Sequence, residues 1–446
     1  MHIIHTQIKE DMKKIWNILA ALLLVTAPAL AQDDIYPAKP YNGVLFIKNG
    51  TIHVGNGQVI EAGTIEVNNG KIVRVGKDIA IPAGDVKVFD VQGQHVYPGL
   101  ILSASGIGLV EISSVRATSD ITEIGDLNPN IRSAVAYNTD SKIINTVRSN
   151  GILLANIVPQ GGTISGSSSV MQLDAWNWED AIYAGDNGIH LNLPELYIRP
   201  NPFAAMFGVP QAGPDQIKKN LEQIEGLKSF FRQAQAYASQ PQTNPNLKFE
   251  AVRGLFSKKQ KLFVHCDIVK EILVALDFKK EFGFDVVIVG GSESFQIADL
   301  LKKYEVPVIV NQMHALPTLA DDDVDLPYRL PSLLQKAGVL FAINDEDGQH
   351  RGKNLPFNAG TAAAYGLGKE NALTAITLNA AKILGISDRT GSLEVGKDAN
   401  IVVSRGDILD MRTNDITLAI IQGRSIDLNN KHKQLYDRYM TKYGLK

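Results

Sequence analysis

Residues able to transfer protons follow several apolar runs in this sequence. His265 lies near the end of the run LFVHC, and His314 follows VPVIV in the segment NQMHALP. Asp345, Glu346 and Asp347 come directly after LFAIN. Crowded carboxylates repel one another, which raises the pKa of one of them and suits it to general-base catalysis. We therefore predict Asp345, Glu346 and His314 as catalytic residues. For His314 the alternative is a structural hydrogen bond that fixes a loop.

Glycine and serine residues are predicted to contact a substrate. The segment PQGGTISGSSS joins two apolar runs, and its glycines would let backbone N–H groups approach an oxygen-rich ligand. This favours Gly161, Gly162 and Ser165 as binding residues, with a tight connection between two strands as the alternative. Ser103 and Ser105, in LILSASGIG, are predicted substrate contacts as well. No G-x-S-x-G pattern surrounds these serines, which disfavours a serine hydrolase.

These residues need a scaffold that brings strand ends together. Eight runs rich in valine, isoleucine and leucine alternate with helical segments, which is typical of a parallel sheet covered on both faces. Eight such units in about 290 residues predict an α/β fold with a (β/α)8 TIM-like barrel, whose functional loops follow the strands. The predicted strands are 98–103, 152–158, 169–174, 188–193, 262–266, 285–289, 306–310 and 339–343.

Both ends of the chain carry short apolar runs broken by turn residues. Asn-Gly pairs such as Asn69-Gly70 suit hairpin turns, which need positive φ angles. A similar pattern returns in GSLEVGKDANIVVS and AIIQGRSIDL. We predict a small composite β domain formed by residues 32–97 and 388–428, with the barrel (98–387) inserted between its two parts.

Two helices are predicted outside the regular barrel. Residues 215–238, within a helical insertion near 215–255, place apolar side chains at helical spacing. This pattern favours a helix that packs on the barrel, with a lid over its mouth as the alternative. Residues 429–446 predict a C-terminal helix.

Residues 1–31 are predicted to be an export signal. Two lysines follow Met12, the expected start, and precede an apolar run that is too short to span a bilayer. The triplet ALA that ends at Ala31 supplies a small-residue cleavage site. We expect an exported, periplasmic protein without a transmembrane segment in its mature form.

The amino-acid composition limits the kinds of molecule that the protein can bind. The 446 residues carry 44 Lys and Arg against 47 Asp and Glu, so no basic excess is present to bind nucleic acid. Cys266 is the single cysteine, which excludes a disulfide within one chain. A small-molecule ligand fits this balance, and association into a homo-oligomer is left open.

Three motifs resemble the imidazolonepropionase-like branch of the amidohydrolase superfamily. They are HVYPGLI (95–101), NALTAITLNAAKILGI (371–386) and DRTGSLEVGKDANIVV (388–403). The resemblance implies a barrel inserted into a β domain. It also implies one or two divalent metals, Zn, Mn or Fe, that activate water at the carboxyl ends of the strands.

The metal-ligand positions implied by this resemblance are largely substituted. Ser103 and Ser105 stand where a His-x-His pair is expected, and Gly290 stands where the sixth strand should supply a histidine. The fourth strand, GIHLNL, has no lysine. His265 on the fifth strand and Asp345 after the eighth remain as metal ligands, with Glu346 in place of Asp345 if the register slips by one. Two protein ligands hold a metal more loosely than the three usual in catalytic zinc sites.

The sequence leaves two functions open. The first, implied by the resemblance, is a hydrolase of a carbon–nitrogen bond, other than a main-chain peptide bond, in a small cyclic amide or dipeptide-like substrate. The second is a barrel that has lost its metal and binds a small ligand or a partner protein without catalysis.

Overall fold

The computed structural model describes residues 35–84, 86–197, 214–240, 244–311, 313–319, 321–345 and 349–445. The predicted export signal lies outside these residues. From Pro37 onward the chain forms one compact unit that contains two eight-stranded sheets.

The first sheet draws its strands from both ends of the chain. Its order is β16-β15-β14-β5-β1-β2-β3, with β4 beside β1, and β14 lies antiparallel to β5. Asn69 and Gly70 both have positive φ in the β2–β3 turn, as predicted for a hairpin. The strands are β1 (Val44–His53), β2 (Val59–Asn68), β3 (Lys71–Gly76), β4 (Lys87–Asp90), β5 (His95–Pro98), β14 (Ile401–Ser404), β15 (Ile416–Ile421) and β16 (Arg424–Ser425).

The second sheet forms a nearly closed eight-stranded barrel in which the strands follow chain order from β6 to β13. All neighbouring pairs are parallel except β7–β8 and β8–β9. The strands are β6 (Leu100–Ser105), β7 (Ile152–Ile157), β8 (Ile164–Gln172), β9 (Ile182–Asn192), β10 (Lys261–Cys266), β11 (Val286–Gly290), β12 (Val308–Asn311) and β13 (Phe341–Asn344).

The reversed strand β8 corrects the prediction of an all-parallel barrel. A parallel neighbour needs a crossover of about a dozen residues or more. The turn 158–163 between β7 and β8 is too short for that, so β8 pairs antiparallel. Ser165 therefore lies within a strand instead of in the predicted loop.

Helices cover the outside of the barrel. Phe231 of the predicted 215–238 helix is fully buried and packs edge-on against the rings of Phe278 and Phe284, which favours packing over a lid. No described helix is both long and apolar enough to cross a membrane. The α-helices are α1 (Ser133–Ala136), α2 (Lys142–Arg148), α3 (Trp178–Ala181), α4 (Pro214–Ala238), α5 (Leu247–Ala251), α6 (Arg253–Phe256), α7 (Val269–Phe282), α8 (Ala298–Lys303), α9 (Leu326–Ala337), α10 (Leu355–Ala362), α11 (Lys369–Ala375), α12 (Leu378–Leu384) and α13 (Lys431–Lys442).

The amino-terminal end of the barrel is filled by apolar side chains. Ile383 and Leu384 of α12 belong to the same buried cluster as residues from the barrel strands. Lys261, the first residue of β10, donates a hydrogen bond to the Ile383 carbonyl. The strand residues in this cluster are Ile101, Leu154, Val170, Tyr183, Phe263, Val287, Val289, Ile309 and Ala342. Ligand access is therefore left to the carboxyl ends of the strands.

Asn344 joins the two ends of the barrel sheet. Within the described part of the chain, β6 and β13 end the strand order and share no backbone pairing. Oδ1 of Asn344 accepts hydrogen bonds from the N–H groups of Ser103 (3.0 Å) and Ala104 (3.1 Å). Its Nδ2 donates to the Ala104 carbonyl at 2.9 Å. This fully buried amide thus supplies the contacts that a backbone ladder would otherwise make.

Replacing Asn344 should open this seam. In Asn344→Ala, three buried backbone groups lose their partner, so the free energy of unfolding should fall by at least about 3 kcal/mol. The exposed Asn130→Ala is the matched control and should stay within about 0.5 kcal/mol of the parent. Urea unfolding followed by circular dichroism measures both. A loss for Asn344→Ala as small as that of the control would contradict closure by this side chain.

Candidate active site

A cavity of about 400 Å³ lies at the carboxyl ends of β10, β11 and β12. We call it the mouth cavity. His265 and Asn311 contribute side chains from strand ends, and α9 forms part of the wall. Its polar lining includes Glu195, Asp267, Glu271 and Asp322. Because parallel strands present their carboxyl ends at one face, the cavity occupies the position expected of an active site.

His265 is paired with a second histidine inside the barrel. Nε2 of His265 lies 2.9 Å from Nδ1 of His190, and the ring of His190 stacks on Phe263 with centroids 4.8 Å apart. Burial, reinforced by the positive charge that His265 can carry, holds the pKa of His190 well below its usual value. His190 therefore stays neutral and orients the ring of His265.

Asp267 accounts for the glycine at the end of β11. A Cβ built on Gly290 would lie 2.7 Å from Oδ1 of Asp267, and Gly290 has a φ of +100°. The carboxylate thus fills space that any side chain at position 290 would need. The histidine implied there by the family resemblance cannot coexist with this position of Asp267.

Glu271 fixes two loops that border the mouth cavity. Its Oε1 accepts a hydrogen bond from the N–H of Leu196 at 2.9 Å, and its Oε2 accepts from that of Asp267 at 3.2 Å. The side chain is buried at the start of α7. Sequence reasoning missed Asp267 and Glu271, although Asp267 directly follows the strand that ends in HC, which was the available signal.

Asp345 lies outside the mouth cavity that His265 lines. Asn358 of α10 donates a hydrogen bond to its carboxylate at 2.9 Å, and Asp345 does not line the mouth cavity. Along β13 the inward positions are Ala342, in the inner cluster, and Asn344, while Ile343 belongs to the outer core. The two predicted metal ligands thus do not line one cavity in the described part of the chain, and their joint role stays a prediction. Glu346 lies outside the described residues.

Ser103 and Ser105 are buried at the end of β6 and do not line the mouth cavity. Oγ of Ser105 accepts a hydrogen bond from the N–H of Ile107 at 3.2 Å. The backbone N–H of Ser103 is held by Asn344. The Ser105 hydroxyl thus orders the loop after β6, whereas the Ser103 contact involves only its backbone, and a substrate contact by either serine stays a prediction.

Gly161, Gly162 and Ser165 form part of a tight hairpin instead of lining the mouth cavity. A Cβ on Gly162 would lie 2.8 Å from the carbonyl oxygen of Asp126, so neighbouring backbone fills the space beside it. Oγ of Ser165 accepts a hydrogen bond from the amide of Asn192. These contacts favour the tight-connection alternative over a binding loop.

His314 borders a different cavity. Its Nε2 lies 2.7 Å from Oγ1 of Thr361 on α10, and both residues line a space that Lys369 and Asp407 also border. Burial, followed by the charge of Arg351, lowers the pKa of His314. The bond to Thr361 is the loop-fixing contact considered as the alternative to catalysis.

The side chains at these strand ends do not match the metal-ligand set implied by the resemblance. Within the described ranges, no three His, Cys, Asp or Glu side chains converge as a metal site would require. Nδ1 of His190 faces His265, and the amide of Asn344 serves the barrel seam. These residues do not fit a site of the usual kind.

Comparisons with known proteins agree with the fold. Residues 329–426 match the model of the Amidohydrolase family. An amidohydrolase from Thermotoga maritima MSB8 is 27% identical, with a TM-score of 0.72 over 86% of this chain and 99% of its own. Two further solved structures share the fold. They are a Xaa-Pro dipeptidase with bound methionine (14% identity, 86% and 100% coverage, TM-score 0.53) and a zinc-bound adenosine deaminase from Xanthomonas campestris (17% identity, 90% and 100% coverage, TM-score 0.51). No curated protein matches the chain. The family match and the solved structures support the amidohydrolase superfamily.

The buried His190 should make stability depend on pH. The unfolded chain gains a proton at this residue below about pH 6.5, whereas the folded chain does so only at much lower pH. His190 therefore lowers the free energy of unfolding by up to about 1.4 kcal/mol for each pH unit below 6.5, until its folded pKa is reached. His190→Gln should reduce this slope. The exposed His432→Gln should retain it, and equal slopes in urea titrations from pH 7.5 to 5 would contradict the assignment.

Gly290→Ala should lower the free energy of unfolding by more than the strain of a positive φ angle explains. The control Gly396→Ala has a similar φ of +90° with nothing near its Cβ, and it should cost about 1 kcal/mol. Gly290→Ala must also displace the Asp267 carboxylate, so we expect a further loss of about 1–3 kcal/mol. Thermal unfolding of both variants measures the difference. Equal losses would mean that Asp267 moves aside freely.

Proposed function

We propose that this protein is a hydrolase that cleaves a carbon–nitrogen bond, other than a main-chain peptide bond, in a small cyclic amide or dipeptide-like substrate. The observation that carries the proposal is the His190–His265 pair. His190 orients His265, which lines the mouth cavity at the carboxyl-terminal face of the barrel. The Amidohydrolase family match and the solved amidohydrolase support a hydrolase of this superfamily.

The proposed family branch, domain organisation and export rest on features of the sequence and of the first sheet. HVYPGLI and DRTGSLEVGKDANIVV support the imidazolonepropionase-like branch. The sheet shared by both chain ends supports the composite β domain. The N-terminal sequence supports export to the periplasm.

His265 acts as the general base in this proposal. It removes a proton from the attacking water, while the neutral His190 holds its ring in place. Asn311 lines the same cavity, and its amide oxygen accepts a hydrogen bond from Asn344 at 2.9 Å. That bond orients the amide nitrogen of Asn311 as a donor to the substrate carbonyl.

A ligand-binding barrel without catalysis is the second candidate. The observation that favours it is the use of Ser103 and Asn344 in packing and in the barrel seam, at strand ends where the resemblance implies metal ligands. A loosely held Zn, Mn or Fe ion is still a prediction of that resemblance. Elemental analysis of the purified protein tests it separately from turnover.

Turnover by variants of His265 tests the proposed hydrolase. Residues 32–446 should hydrolyse members of a panel of cyclic amides and amino-acid amides, and His265→Asn should lower kcat by about 100-fold or more through loss of the base. The drop should be smaller at high pH, where hydroxide replaces the base. His314→Asn, outside the mouth cavity, is the matched control and should retain parental kcat.

Two results would contradict the proposal. One is parental turnover by His265→Asn. The other is binding of panel compounds in calorimetry without any hydrolysis, which would favour the ligand-binding barrel. A chelator that abolishes turnover of the parent, with restoration by Zn, Mn or Fe, would add a metal to the site.

A further inference from the structure

We propose that His53, His95 and Glu370 form a pH-sensitive latch, which holds the start of α11 against the first sheet at neutral pH and releases it in acid. His53 ends β1, His95 begins β5, and Glu370 lies in the first turn of α11. None of the three side chains lines the mouth cavity, so the latch is independent of the proposed hydrolase activity.

A continuous chain of hydrogen bonds joins the three side chains. Nδ1 of His53 lies 2.7 Å from Oε1 of Glu370, and Nε2 of His53 lies 3.0 Å from Nδ1 of His95. The His53 ring also stacks on the Tyr97 ring, with centroids 4.5 Å apart and planes inclined by 12°. Only 14% of the His53 side chain is exposed. The latch therefore links two strands of the first sheet to a helix that also contacts β13 of the barrel.

The positions of the hydrogens limit the charge that the latch can carry. A carboxylate only accepts, so Nδ1 of His53 carries the hydrogen in its bond to Glu370. The bond between the two rings needs one hydrogen and one bare nitrogen, which allows a single positive charge on the pair. When both rings are protonated, Nε2 of His53 and Nδ1 of His95 both carry hydrogens, and the bond becomes a repulsive contact between two cations.

Three further charged groups act on His95. They are Asp407 in the loop between β14 and β15, Glu61 of β2 and Lys369 of α11. The two carboxylates favour a proton on His95, whereas the ammonium of Lys369 opposes it. Burial, followed by the charge that His53 can carry, lowers the pKa of His95. Burial raises the pKa of Tyr97, so its hydroxyl stays neutral beside the pair.

Acid favours the open form of the latch, because that form binds one proton more. When the contact between the rings is broken, both histidines take up protons below about pH 6.5, whereas the closed latch holds only one. The equilibrium constant for opening should therefore rise about tenfold for each pH unit below 6.5, until the closed latch also takes up the second proton. The carboxylate of Glu370 stabilises the first proton in the closed form, so a single proton drives the opening.

The two ends of α11 are held by different kinds of contact. The latch holds the start of the helix, where Lys369 borders the same cavity as His314. Near the other end, the hydroxyl of Thr374 donates a hydrogen bond to the carbonyl of Gly55 at 3.0 Å, and neither group titrates in this pH range. Acid therefore releases the first turn of α11, which changes the wall of that cavity, while the later turn stays attached to the first sheet.

Hydrogen exchange measured by mass spectrometry tests the latch in residues 32–446. After correction for the intrinsic pH dependence of exchange, protection of the amides of 370–375 should fall by about tenfold from pH 6.5 to pH 5.5. His95→Asn should lose this pH dependence, because the asparagine amide can occupy the position of Nδ1 but binds no proton. His432→Asn, which removes an exposed histidine of α13, is the matched control and should keep it.

Glu370→Gln provides a second test with the opposite sign. Glutamine can still accept the bond from Nδ1 of His53, but it supplies no charge to stabilise the first proton in the closed latch. Two protons then drive the opening, so the loss of protection should begin at higher pH and steepen towards about 100-fold per pH unit. Glu222→Gln, at an exposed position of α4, is the matched control and should behave like the parent.

Three results would overturn the proposal. The first is protection of 370–375 that stays constant between pH 6.5 and pH 5.5. The second is a pH dependence in His95→Asn equal to that of the parent, which would assign the effect to another residue. The third is a slope in Glu370→Gln no steeper than that of the parent. Circular dichroism at pH 7.5 establishes that each variant is folded, and either variant alone is sufficient for the test.

Discussion

The barrel depends on one buried amide. Asn344 connects β13 to the backbone of β6, where no ladder joins the two strands in the described part of the chain, and its Nδ2 also donates to Oδ1 of Asn311 at 2.9 Å. Closure of the sheet and orientation of a cavity residue therefore share a single side chain. A change that opens the seam would also release Asn311 at the mouth, so stability and binding are coupled here.

This constraint divides the carboxyl-terminal face of the barrel into two halves. On the β6 and β13 side, Ser103 and Asn344 are buried and committed to packing. On the β9 to β12 side, His265 and the carboxylates surround a cavity. Chemistry at the barrel axis, as the family resemblance implies, would need both halves. Within the described residues, the mouth cavity lies on the β9 to β12 half, whereas Asp345 lies on the other.

The sequence predicted the elements better than it predicted the directions in which they run. Apolar runs located all eight barrel strands, and helical spacing located α4 with its buried Phe231. A run of apolar residues carries no sign of strand direction, so the reversal of β8 was decided by the short turn 158–163. The prediction of Asp345 as an inward residue missed by one position. Side chains alternate between the two faces of a strand, so Ala342 and Asn344 of β13 point inward. The contact between Gly290 and Asp267 joins separate loops, and no local pattern could predict it.

Gly290, in place of the histidine that the resemblance implies, changes the charge at the end of β11. A histidine at this strand end would place an imidazole ring there. The glycine instead leaves room for the carboxylate of Asp267. The nearby Glu271 is held by the N–H groups of Leu196 and Asp267, so negative charge is maintained there by neutral partners. The same backbone contacts therefore order the two loops and hold a carboxylate at the cavity wall.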